Sequence, residues 1–128
     1  MTVRYFDRDG QPITMWQWAA LLASDEYRRV AEDVVADFWV STVWLGLDHQ
    51  LLPELPKLTF ETMVFTADDG AIVQGPVRYS TLGAAFMGHA WIVKELRRRY
   101  ELGYSIRGEI PGDGGPDGDE SDNPVPEG

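Results

Sequence analysis

Four polar side chains in this sequence are of types that bind metals or transfer protons. Asp48 and His49 end the apolar run V-S-T-V-W-L-G-L-D-H, Glu61 lies in the middle of L-T-F-E-T-M-V-F, and His89 ends A-A-F-M-G-H. Imidazole and carboxylate groups together bind zinc, iron or manganese, and a buried His–Glu pair can tune a base. One hypothesis is therefore a metal or acid–base site built from these four residues.

A structural role for the same residues is the favoured interpretation. The sequence has no metal-ligand spacing such as H-E-x-x-H. An unpaired buried polar group costs about 1–3 kcal/mol, so carboxylates that satisfy the two histidines would form a polar core network. A nucleophile at Ser41 or Ser80 lacks the G-x-S-x-G elbow. We therefore assign no catalytic residue, no metal ligand and no cofactor from the sequence.

The elements that position these residues follow from the apolar pattern. Alternation of apolar and polar residues predicts strands, whereas apolar residues every three or four positions predict a helix. Proline in a strand indicates an edge position or a break. The pattern predicts an N-terminal hairpin around D-R-D-G, a helix over 15–23 capped by Thr14, strands over 27–36, 38–47 and 58–65, a loop over 49–57, and a strand over 72–79 interrupted at Gly75-Pro76.

The longest helix is predicted after Ser80 or Thr81 and ends at Gly103. Its apolar stripe contains the following positions: Leu82, Ala85, Phe86, His89, Ile92, Val93, Leu96 and Tyr100. The expected architecture is an α+β fold, an antiparallel meander sheet with a short N-terminal helix and a C-terminal helix packed on one face.

Composition divides the 128 residues into a single folded domain, 1–106, and a tail, 107–128, that is rich in Gly, Pro and Asp and is predicted to be disordered. The tail has seven acids and one base, which give it a charge of −6. Residues 1–106 have fourteen acids and ten bases, which give a charge of −4, so the whole chain carries −10. The chain has no cysteine. It also has no apolar signal core and no apolar run of about 20 residues. A cytoplasmic location and no membrane partner are expected.

Tryptophan suggests how the protein makes contacts. The five tryptophans, Trp16, Trp18, Trp39, Trp44 and Trp91, are too many large side chains for one small core, and exposed aromatics anchor protein interfaces. Trp16, Trp18, Trp39 and Trp44 are the candidate binding residues for a protein partner or for a second copy of the chain. The cations Lys94, Arg97, Arg98 and Arg99 match a helix dipole better than a nucleic-acid interface. Nucleic acid is therefore disfavoured as a partner, and the sequence specifies no small molecule.

Four segments resemble a known family. F-D-R-D-G-Q-P-I, V-S-T-V-W-L-G-L-D-H, F-E-T-M-V-F and R-Y-S-T-L-G-A-A-F-M-G-H, in this order, are similar to segments of small hypothetical proteins from actinobacteria and their phages, and the resemblance covers roughly residues 3–100. Two loops depart from the family, which typically has a glycine-rich loop where this chain has Q-L-L-P-E-L-P and often Gly-Gly where it has T-A-D-D-G.

The family has no established activity, so the resemblance implies an origin and no mechanism. Together with the tryptophans, it predicts a non-enzymatic accessory protein, associated with a phage or prophage, in the cytoplasm of the bacterial host. Such a protein would bind a host or virion protein, or itself. The alternative is a small metal-dependent or acid–base enzyme that uses the His/Glu/Asp cluster.

Overall fold

The computed structural model describes residues 4–48 and 55–101. It contains seven strands and three helices in these ranges. In chain order they are β1 (Arg4–Phe6), β2 (Pro12–Ile13), α1 (Met15–Leu22), α2 (Asp25–Arg28), β3 (Arg29–Val35), β4 (Phe38–Trp44), β5 (Leu47–Asp48), β6 (Phe60–Thr66), β7 (Ile72–Tyr79) and α3 (Leu82–Glu101). The predicted α+β fold is confirmed.

The main sheet is antiparallel, with the strand order β3-β4-β6-β7. Side chains alternate between its two faces, and every second residue of β4 and β6 is buried. The buried side chains, such as Val40 and Val64, face α3, and we call this side the helix face. The opposite side, which carries Trp39 and Phe65, is called the open face. β7 is an edge strand, as its proline predicted, and it has a cis Gly75–Pro76 bond.

The helix α3 covers the helix face with one stripe of residues. Its buried positions, three or four apart, are Ala85, Gly88, His89, Ile92, Val93 and Leu96. Phe86 and Tyr100 were predicted on this stripe, but they are 45% and 62% exposed. Because a helix turns by about 100° per residue, Phe86 points away from a stripe that contains Ala85. Tyr100 lies beyond Leu96, the last buried position.

A smaller sheet, β2-β1-β5, and the helix α1 close one end of the molecule. Thr14 caps α1 as predicted and forms a capping box with Gln17. Around Trp44 and Phe60, this end has its own apolar cluster, to which α1 contributes Trp18.

Two predicted strands differ from those observed. The segment 27–36 begins as a helical turn capped by Ser24, and β3 starts only at Arg29. The segment 38–47 is divided into β4 and β5 at Gly46, whose φ of 70° favours glycine.

No helix in the described ranges is long and apolar enough to cross a membrane. The predicted tail, 107–128, lies outside the described residues.

Candidate functional site

His89 is the centre of a hydrogen-bond network between α3 and the helix face. The residue is only 4% exposed. Its Nε2 lies 2.8 Å from Asp33 Oδ2 on β3, and its Nδ1 lies 2.7 Å from Thr42 Oγ1 on β4. A carboxylate only accepts, so Nε2 donates to Asp33, and in the neutral ring Nδ1 accepts from the Thr42 hydroxyl. Both nitrogens of His89 are therefore satisfied.

The network continues across the sheet through hydroxyl groups. Thr42 and Thr62 are directly opposite each other on β4 and β6, and their hydroxyls form a hydrogen bond. Tyr79 on β7 follows, with a buried hydroxyl that has no hydrogen-bond partner in the described structure. Burial raises the pKa of Tyr79 above its usual 10.0. The Thr62 side chain is close enough to oppose this rise, although the pair does not meet hydrogen-bond geometry.

This arrangement resembles an acid–histidine–hydroxyl triad in its composition, but its accessibility differs from that of an active site. Thr42 and Thr62 are 0% and 1% exposed, so neither hydroxyl can reach a substrate. A nucleophile must lie at a surface where a reacting atom can approach it. The network therefore acts as polar packing that joins α3 to the strands, which agrees with the structural interpretation of His89.

The predicted convergence of Glu61 with His89 is wrong. Glu61 lies on the open face, where its Oε1 is 3.4 Å from Arg78 Nε. His89 contacts the opposite face of the same sheet, because Thr62, the residue after Glu61, points towards α3. Since side chains alternate along a strand, Glu61 and His89 are separated by the sheet itself.

Asp48 is also separate from His89. It lies on β5, is 2% exposed, and forms an ion pair with Arg4 on β1. His49 lies outside the described residues. Within residues 4–48 and 55–101, no group of three or more His, Asp or Glu side chains could hold a metal ion.

Asp33 is the charged partner of His89, and the sequence pattern did not single it out. It pairs with Val40 in the β3–β4 register, so its side chain points to the helix face. The available signal was the alternation of Ala31, Asp33 and Val35, which places one carboxylate in an otherwise apolar row. An irregularity between Arg29 and Ala31 hides this alternation at the start of the strand.

A cleft of about 560 Å³ opens beside the His89–Asp33 pair, between α3 and the edge strand β3. Its apolar lining includes Ala90 and Val93, and its charged lining includes Lys94 and Arg97. The remaining lining residues are Asp33, His89, Arg98 and Glu101. The Asp33 side chain is 41% exposed, so one end of the polar network is accessible from solvent.

A second groove, of about 350 Å³, lies at the other end of the molecule. Trp18, Leu45 and Leu58 provide much of its apolar lining, and Asp48 and Arg78 are its charged members. Because Asp48 is already paired with Arg4, this groove has a mainly apolar character.

The open face carries an apolar row across all four strands. Val34, Trp39, Phe65 and Ile72 are directly paired from β3 to β7. The rings of Trp39 and Phe65 are in contact, with centroids 5.1 Å apart, and the outer two residues are 63% and 64% exposed. Among the described helices, α3 packs on the helix face, and α1 and α2 pack around the Trp44 end.

The four candidate tryptophans have different environments. Trp44 is 0% exposed and its Nε1 donates to the Phe6 carbonyl, so the prediction that it contacts a partner is wrong. Trp18 is partly buried and donates to the Leu45 carbonyl at 2.8 Å. Trp16 is 77% exposed on α1, and Trp39 is partly buried within the apolar row. Trp16, Trp18 and Trp39 therefore remain candidates for binding.

Comparisons with protein families, with curated proteins and with solved structures gave no match to this chain. The geometry of its own residues therefore carries the functional argument.

Proposed function

We propose that this protein is a non-enzymatic interaction module that associates with a second copy of itself through the open face. The observation that supports this is the apolar row Val34, Trp39, Phe65 and Ile72, which crosses the whole width of the sheet. A continuous exposed apolar patch on a small protein marks an interaction surface, and a face-to-face pair of sheets would remove it from water.

The charges around this row favour a second copy as the occupant. The face also carries Arg29, Glu32, Glu61 and Arg78, two cations and two acids, and acid–cation distances of 3.5 and 3.4 Å join Arg29 to Glu32 and Arg78 to Glu61. A two-fold interface brings a patch against its own copy, so a patch of one sign would repel itself. On a chain of net charge −10, a neutral face is where two copies can approach.

The size of the face sets the expected strength. Four strands about 4.8 Å apart and seven residues with a rise of about 3.3 Å give a projected area of about 440 Å². A standard interface buries about 800 Å² of accessible surface per partner. Association through this face alone is therefore expected to be weak, with a Kd on the order of 10 μM or above.

Sedimentation equilibrium over a range of protein concentrations tests the proposal. The average mass is expected to rise from monomer towards dimer between about 5 and 500 μM, a range that brackets the expected Kd. Ile72→Lys and Val34→Lys place a charge in the apolar row at exposed positions, and both should keep the protein monomeric.

Met87→Lys is the matched control, because Met87 is an exposed apolar residue on the outer surface of α3. It should associate like the wild type. A wild-type chain that stays monomeric throughout, or dimers that Ile72→Lys leaves unchanged, would overturn the proposal. Capture of a different protein in place of a second copy would also count against this occupant.

An accessory role in a bacterial host, as the family resemblance implies, is compatible with such a module. The alternative, a small enzyme that uses a His/Glu/Asp cluster, has less support, because Glu61 and Asp48 do not contact His89. We therefore make no proposal of a reaction.

A further inference from the structure

We infer that the cleft between α3 and β3 is a binding site for a small zwitterion, a molecule with a carboxylate at one end and an ammonium group at the other. The site is distinct from the open face, because it lies at the sheet edge on the side of α3. Its volume of about 560 Å³ is within the usual range for small-molecule sites of about 300–1,000 Å³.

The cationic part of the cleft has unused binding capacity. Lys94 and Arg97 are exposed and lie three residues apart, so they project from the same side of α3. Among the described residues, neither has an ion-pair partner, whereas Arg98 binds Glu95 at 3.0 Å. An ammonium and a guanidinium that line the same cleft suit a carboxylate.

The acidic part of the cleft is held in place. Asp33 Oδ2 accepts from His89 Nε2 at 2.8 Å, and His89 is fixed in turn by Thr42. The Asp33 side chain is 41% exposed, so a ligand can approach the carboxylate, which can accept at several positions. An ammonium group is the complementary donor. Ala90 and Val93 provide apolar surface for the carbon atoms between the two charged ends.

Nuclear magnetic resonance titration of the full chain tests this site, with the ring signals of His89 as the reporter. The probes are glycine, β-alanine and 4-aminobutyrate, which differ in the separation of their charges, compared with acetate and methylammonium at constant ionic strength. At least one zwitterion should cause saturable shifts at His89 and bind about tenfold more tightly than acetate, a difference of about 1.4 kcal/mol.

Arg97→Gln and Lys94→Gln should each weaken binding of that zwitterion, and Lys57→Gln, which removes a cation that lies over the Phe6 ring, should not. Asp33→Asn should reduce its affinity to that of acetate. If no zwitterion binds more tightly than acetate, or if Arg97→Gln binds like the wild type, the inference is wrong. These results do not depend on the oligomeric state, so the two proposals can fail separately.

Discussion

At the scale of single residues, the polar network shows how a buried histidine is tolerated. His89 donates to a carboxylate on one side, and on the other it meets a hydroxyl that can donate or accept. Both ring nitrogens therefore have a hydrogen-bond partner, although the residue is only 4% exposed.

Tyr79 lies next to this network and gives a prediction. Its hydroxyl is buried without a hydrogen-bond partner, and such burial costs about 1–3 kcal/mol. Tyr79→Phe is therefore expected to leave the free energy of unfolding unchanged or to raise it by up to about 1 kcal/mol. Urea denaturation at neutral pH measures this change, and a loss above about 1 kcal/mol would show that the hydroxyl is paired.

Tyr79 also determines part of the change in the free energy of unfolding at alkaline pH. Because burial raises the pKa of Tyr79 in the folded state, the fold favours the protonated phenol. The resulting stabilisation is complete below pH 10.0, the ordinary value, and is lost as the pH rises towards the folded-state pKa. In Tyr79→Phe, this part of the fall in the free energy of unfolding with rising pH should be absent. Tyr100→Phe, at a residue that is 62% exposed, is the control.

At the scale of elements, the packing of α3 depends on the close approach of Gly88 to β7. A Cβ atom added at Gly88 would overlap the ring and hydroxyl of Tyr79, whereas one added at Gly83 would meet nothing within 4 Å. Both glycines lie in the same helix, and only the tertiary contact distinguishes them.

Two alanine substitutions in α3 should therefore have opposite effects. Gly88→Ala should lower the free energy of unfolding by about 1–3 kcal/mol, because Tyr79 or the helix must shift. Gly83→Ala should raise it by about 0.5–1 kcal/mol, since alanine is the better helix former. Urea denaturation of both variants provides the comparison. Equal effects would show that α3 does not approach β7 as closely as described.

At the scale of the whole molecule, charge opposes the proposed association. Two copies of net charge −10 repel each other, and the proposed contact is apolar with a neutral surround. Salt screens such repulsion, because the Debye length falls to about 10 Å at 0.1 M ionic strength. The self-association constant should therefore rise with salt, whereas an interface held by ion pairs would weaken.

Removal of residues 107–128 tests the same balance between charge repulsion and apolar contact. It removes a charge of −6 and leaves −4 on residues 1–106. At about 20 mM salt the shortened chain should associate severalfold more tightly than the full chain, and the difference should shrink at about 300 mM. Sedimentation at both salt concentrations measures this. Weaker association of the shortened chain would indicate that the tail takes part in the contact.

The sequence by itself determined the fold class and the order of the elements other than α2 and β5. Alternation in 38–44 and 60–66, the spacing of Ala85, His89 and Ile92, and the Thr14 cap are local patterns, and local patterns follow from the geometry of strands and helices. The edge position of β7 was also local information, because Pro76 cannot donate a backbone hydrogen bond.

Only the tertiary structure decided which side chains meet. The pairing of Asp33 with His89 joins residues 56 positions apart, and the separation of Glu61 from His89 depends on which face of β6 is covered by α3. The burial of Trp44 likewise depends on α2, whose Tyr27 packs edge-on against the Trp44 ring although it was predicted to begin a strand. A single-residue change of register moves every side chain of a strand to the other face. The sequence could therefore indicate Glu61 and His89 as candidates, but it did not indicate Asp33 or show which side chains are in contact.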